Sequence, residues 1–114
     1  PLGITEIPYS SPVAWFDGVN VSPNGDVATV NSVSPVGAYD MCGNLWEWCH
    51  DWYSTTYYSG GPMTNPTGPA TGANRALRGG SFRDLAQTCR TAARDGKAPT
   101  VTPYWRSFRV GRTQ

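Results

Sequence analysis

Charge is scarce in this 114-residue chain: Lys and Arg together number 9, Asp and Glu 8, and the formal net charge is +1. A field that weak draws in neither nucleic acid nor an anionic membrane, so no nucleic-acid partner is expected. Histidine is scarcer still, His50 standing alone. The cysteines number 3, which leaves one unpaired even if a bridge forms and excludes a dense disulfide scaffold. Cys42, Cys49, His50 and Cys89 are zinc-ligand types, but no Cys-x-x-Cys pair occurs, and Cys49 and His50 are neighbours that a strand would point to opposite faces. A buried thiol, or a bridge from Cys49 to Cys89 between neighbouring strands, fits the spacing better than zinc. Long apolar runs are missing as well. No stretch approaches the roughly 20 residues that cross a bilayer, so no membrane insertion is expected, and residues 1–9 lack the succession of basic, apolar and small residues that marks a signal peptide. With Gly at 13 and Pro at 10, long helices are not expected either; the composition favours short elements joined by shaped loops.

What is present is aromatic and concentrated. Residues 36–53 hold Trp46, Trp48, Trp52, Cys42 and Cys49, enough ring surface to nucleate a core, since each buried aromatic contributes a few kcal/mol. Trp46 and Trp48 lie two apart, which on a strand turns both rings to one face and Glu47 and Cys49 to the other. Gly43 and Asn44 precede them as turn formers, so residues 45–49 are read as a strand entered through a tight turn. The chain is long enough for one domain and too short for two.

Before this strand, residues 1–34 are irregular. Ile4 to Ile7 is a candidate edge strand broken by Pro8, Asp17-Gly18 and residues 22–26 are turn signals, and residues 27–33 alternate weakly enough to suggest only a hairpin. After it, residues 54–74 carry Gly60, Gly61, Pro62, Pro66, Gly68, Pro69 and Gly72 and are read as a long ordered loop with Tyr57 and Tyr58 at the core edge. Strands are expected at residues 75–78, resuming at Ser81-Phe82, at residues 89–94, where Cys89, Thr91 and Ala93 alternate with Arg90, Ala92 and Arg94, and at residues 107–110. The expected core is Trp46, Trp48, Leu77, Phe82, Phe108 and Val110. Glu47, on the opposite face, needs Arg78, Arg94 or backbone N–H groups, because an unpaired buried carboxylate is costly.

PVGAYDMCGNLWEW, RALRGGSF, CRTAAR and SFRV occur in one order and at compatible spacings. Together they resemble the C-terminal half of the formylglycine-generating enzyme family over roughly residues 13–110, counting a weaker likeness at AWFDGVN. The resemblance implies a variant of the C-type lectin fold: α+β, mainly β with irregular loops and little helix, as one domain over residues 1–114, with an irregular part at 1–34 and a motif-bearing core at 35–114. In that family two cysteines after the GGS motif bind copper and activate oxygen to oxidise a substrate cysteine. Here Asp84 stands where the first of them would fall, and Cys89 belongs to the C-R-x-A motif, so the catalytic pair is missing and no enzymatic activity is expected. A related sulfoxide-forming branch holds iron through three histidines, which His50 alone cannot supply. The same resemblance carries a structural calcium to the turn at residues 43–47, with Asn44 and Glu47 as candidate ligands beside backbone carbonyls; an arginine on Glu47 is the rival arrangement.

The chain also resembles the variable proteins of diversity-generating retroelements, in which LRGGS and C-R-x-A frame positions that vary to make a library of binding surfaces. That likeness points to Arg83, Asp84, Leu85 and Thr88, to Asp95, Gly96 and Lys97, and to Val101, Pro103, Tyr104, Trp105 and Arg106 as ligand-binding residues. These clusters show no hydrophobic period, as expected of positions that shape a site and not a core. Ordinary loops would look the same. Sugar binding of the lectin kind would call for a calcium-binding Glu-Pro-Asn or Gln-Pro-Asp triplet, and neither occurs, so a protein ligand is expected. The alternatives are an inactive, partial or subunit-type relative of the enzyme, completed by a second chain, and a purely structural domain.

Overall fold

The computed structural model describes residues 10–21 and 25–110. Four short strands are present among them: β1 (Trp46–Trp52), β2 (Arg75–Arg78), β3 (Asp95–Lys97) and β4 (Arg106–Phe108). They form one mixed sheet in the order β3-β2-β1-β4. Helix among the described residues is limited to two 3-10 turns, Tyr57–Gly60 and Ala86–Cys89, as the glycine and proline content requires. The sheet is mainly β with shaped loops, in the C-type-lectin-like manner.

β1 is the organising strand. It pairs antiparallel with β2, setting Glu47 opposite Arg78 and Trp48 opposite Leu77, and parallel with β4, setting Trp46 beside Arg106 and Trp48 beside Phe108. Between Trp48 and Trp52 its register against β2 shifts, four steps on β1 facing two on β2, so the strand bulges where the long loop departs. Trp46, Ala76 and Leu77 are the buried apolar side chains among the described residues, Leu77 being 0% exposed. Trp48 and Phe82 are half-buried.

The other two expected core residues lie outside. Phe108 is 75% and Val110 83% exposed, because β4 is an edge strand of three residues and nothing among the described residues covers its far side. Other expectations also need correction. Residues 81–84 form a turn and no strand, and the alternation at residues 89–94 follows a 3-10 turn and a bend; the strand comes one segment later, as β3. Cys49 lies on β1 but Cys89 ends the Ala86–Cys89 turn, so the two are not on neighbouring strands, and Cys42, Cys49 and Cys89 are all free thiols. The expected hairpin over residues 27–33 reduces to a single bridge between Val21 and Ala28. The candidate strand at Ile4 to Ile7 lies outside the described residues, as does part of the turn at 22–26.

The N-terminal segment is fastened to the turn before β1 by side chains. Asn44, at φ 60°, has the left-handed backbone that asparagine tolerates. Its Oδ1 accepts from the Ser11 N–H at 3.0 Å and its Nδ2 donates to the Ser11 carbonyl at 3.2 Å. Asp40 Oδ2 accepts from the Ala14 N–H at 2.9 Å. Farther upstream Asp17 Oδ1 accepts from the Val19 and Asn20 N–H groups, each at 2.8 Å, which makes the expected turn at Asp17-Gly18. Those backbone hydrogen bonds, Asn20 first, hold the Asp17 carboxyl below its usual range.

Candidate functional site

The turn after β2 and the loop before β4 meet through aromatic rings. Phe82 stacks on Tyr104 with ring centroids 6.4 Å apart, and Tyr104 meets Trp105 edge-on at 4.9 Å. The Arg83 guanidinium lies 4.6 Å from the Trp105 ring centre. Tyr104 and Leu85 are exposed while Trp105 is half-buried. The result is a cation–aromatic cluster built from two loops that are far apart in sequence, each ring positioned by another.

This cluster rests on fixed supports. Trp46 N–H donates to the Trp105 carbonyl at 3.1 Å, which fastens the loop to β1. Arg106 Nη1 donates to the Val101 carbonyl at 2.6 Å, and its guanidinium lies 5.4 Å from the Trp48 ring centre. Asp84 belongs to the frame. Its Oδ2 accepts from Trp46 Nε1 at 2.8 Å, from Ser81 N at 3.0 Å and from the Ser81 hydroxyl, so one carboxylate oxygen satisfies a buried indole and a buried serine. Gly80, at φ +72°, lets Thr88 and Cys89 close over it, and Thr88 turns back to donate to the Leu85 carbonyl at 2.8 Å.

The residues singled out from the sequence therefore divide. Arg83, Tyr104 and Trp105 are brought together, Leu85 is exposed, and Val101 and Pro103 lie in the same loop as Tyr104. Asp84, Thr88 and Arg106 make the internal contacts just described. Asp95, Gly96 and Lys97 are strand β3 and not a loop. β3 lies at the opposite edge of the sheet from β4, about 14 Å away at a strand spacing of roughly 4.8 Å. Gly96 is placed by packing, since a Cβ there would overlap the Tyr53 ring, and Lys97 pairs with Asp95 at 3.1 Å. Half-buried Phe82 joins the cluster through Tyr104, a role that the sequence does not signal because an aromatic beside GGS reads equally well as core.

Glu47 lies on the other side of β1, beside a concavity of about 470 Å³ that Asn44, Phe108 and Val110 also line. Arg109 grips it with two bonds, Nη2 to Oε1 at 2.6 Å and Nε to Oε2 at 3.0 Å. The partner is thus Arg109 and neither Arg78, whose Nη1 donates to the Thr91 carbonyl, nor Arg94, which donates to the Ser54 carbonyl. Glu47 pushes the Arg109 guanidinium above its ordinary value, outweighing desolvation. Asn44 is committed to Ser11 and both Glu47 oxygens to Arg109, so a calcium ion held here by these side chains would have to displace both protein partners. Copper fares no better after GGSF, where Asp84 is bound to Trp46 and Ser81.

The sulfatase-modifying factor enzyme 1-like domain model matches residues 8–114. The chain belongs to this family. A formylglycine-generating enzyme from Streptomyces coelicolor is 44% identical over 91 residues, which cover 74% of this chain and 29% of that protein. A Chlamydia pneumoniae protein named serine/threonine-protein kinase pkn1 is 40% identical over 91 residues, covering 76% of this chain and 15% of its own length. Among solved structures, Treponema denticola variable protein 1 superposes with a TM-score of 0.51 at 35% identity, over 63% of this chain and 26% of that one. This member of the family thus spans less than a third of the length of each of these three relatives. The same segment occurs in proteins named for different activities, so membership describes the scaffold and leaves the activity to the site.

Proposed function

We propose that the chain is a non-catalytic protein-binding module that displays a recognition surface on a C-type-lectin-like scaffold, after the manner of retroelement variable proteins. The observation that carries this reading is the Phe82–Arg83–Tyr104–Trp105 cluster: rigid rings at the surface, held by a frame that Asp84 and the Trp105 carbonyl fasten to β1. Aromatic and arginine side chains of this kind dominate binding surfaces, because they bring large contact area at small entropic cost. The structural similarity to a variable protein supports it, as does the carboxylate at position 84, where catalysis by the enzymes would use a thiol.

The second reading, an inactive, partial or subunit-type relative of the formylglycine-generating enzyme, is favoured by the 44% identity to the Streptomyces enzyme. Oxygen uptake separates the two. With copper and a cysteine-containing peptide the chain should consume no oxygen above the buffer rate; sustained uptake would overturn the binding reading. Binding is tested by selecting ligands for the wild-type domain from a displayed protein library. Trp105→Ala and Tyr104→Ala should each weaken selected ligands about 30-fold, the equivalent of about 2 kcal/mol, while Lys97→Ala, at the far edge, leaves them unchanged. Ligands indifferent to Tyr104 and Trp105 would refute the assignment.

A further inference from the structure

A second concavity, of about 460 Å³, opens behind the turn that leads into β1, and it is lined by all three cysteines together with His50, Arg78 and Arg90. Neither proposed function uses it. The Cys42 thiol is exposed and donates to the Cys89 carbonyl at 3.2 Å. The Cys89 thiol is half-buried and packs over Gly80 and Gly43, the latter being the next residue after Cys42. Gly43 N–H donates to the Gly79 carbonyl at 2.7 Å, which holds this turn against the segment after β2. A thiol on the turn before β1 and a thiol at the end of the Ala86–Cys89 turn are thus brought together, the first open to solvent and the second behind it. Cys49 differs: it sits within β1, and burial raises its pKa above the usual thiol value.

We propose that Cys42 and Cys89 form a stoichiometric thiol pair that exchanges with a low-molecular-weight disulfide bearing carboxylates. Arg78 and Arg90 line the concavity, and among the described residues the ion pairs involve Lys97 and Arg109, not these two. Their guanidinium groups suit the carboxylates of such a reagent. Cys42, as thiolate, attacks one sulfur of the disulfide; the S–S bond breaks, a mixed disulfide forms at Cys42, and the departing thiolate takes a proton. Cys89 then attacks the Cys42 sulfur, the second small thiol leaves with the other proton, and an intramolecular bridge remains. Two protein thiols are oxidised and one small disulfide is reduced to two thiols. The exposed member is the one that attacks, and the half-buried member resolves.

The test treats the reduced chain with glutathione disulfide, quenches with acid and reads mass and linked peptides. Wild type should end two hydrogens lighter with Cys42 joined to Cys89, and Cys49→Ser should behave the same. Cys89→Ser should retain one glutathione on Cys42, and Cys42→Ser should form no bridge. In denaturant the ratio of bridge to glutathione adducts should fall at least about tenfold, because the folded turn supplies the effective concentration. Stable adducts on wild-type Cys42 without bridging would overturn the proposal. So would a bridge to Cys49, or a bridging ratio unchanged in denaturant.

Discussion

Asp84→Ala offers the sharpest test of how the surface loop is held. The substitution removes an acceptor that serves Trp46 Nε1, Ser81 N and the Ser81 hydroxyl, and it leaves behind side chains only 7% and 4% exposed. The Ser81 hydroxyl can rotate to another acceptor, so two donors bear the loss. A buried donor left without a partner costs about 1–3 kcal/mol. Asp84 itself is reachable by solvent, so water replaces part of the lost bonding and about 3 kcal/mol in total is expected. At a urea dependence of about 1.5 kcal/mol/M, the unfolding midpoint should fall by about 2 M with an unchanged slope. Asp84→Asn keeps a carbonyl oxygen and should lose only about 1 kcal/mol, the charge-assisted share. Arg83→Ala, one residue away but outward and over Trp105, should lose no more than about 1 kcal/mol. The assay is equilibrium urea unfolding followed by tryptophan fluorescence. An Asp84→Ala midpoint within error of Arg83→Ala would show that Asp84 is an ordinary loop residue and refute the frame argument.

Gly96→Ala should destabilise the domain by about 2 kcal/mol or more, because its Cβ overlaps the Tyr53 ring and the edge strand must shift; the same unfolding measurement checks it. Arg109→Ala should cost about 1 kcal/mol, less in high salt, since the two side chains are 36% and 22% exposed and solvent screens the pair; equal loss at low and high salt would count against an electrostatic role. The depressed Asp17 pKa means a contribution fully present above the ordinary value of 3.8 and lost as pH falls through the lower folded value. Acid unfolding of Asp17→Ala should therefore be shallower than wild type below about pH 4, and coincident curves would remove that linkage. Added calcium or a chelator should leave the thermal midpoint unmoved, whereas a rise with calcium would mean that Glu47 and Asn44 exchange their protein partners for the ion.

Local pattern made β1 and β2 legible. Paired tryptophans two apart, a preceding Gly-Asn turn and a following RALR stopped by Gly79-Gly80 each specify their own conformation through neighbours in the chain. The absence of long helices followed in the same way from glycine and proline. The segment CRTAAR misled, because alternation of small and basic residues suits an extended strand and also a tight turn whose arginines reach backbone carbonyls, as Arg90 does toward Gln87 at 2.9 Å. Which residues could act as ligands was legible in type but not in role. Asp84 and Arg83 are adjacent and equally polar, and only the approach of Trp46 from 38 residues away turns one inward and leaves the other over Trp105. Glu47 needed a partner on any reading, yet Arg109 lies 62 residues further on and reaches it because β4 runs parallel to β1. The exposure of Phe108 and Val110 was likewise decided by strand order, since an edge strand presents what an inner strand would bury. The sequence by itself determined β1, β2, the turns that flank them and the chemistry available to them. Burial, ion pairing and the meeting of Phe82 with Tyr104 depend on contacts between distant segments, which no local propensity encodes and which only the assembled sheet supplies.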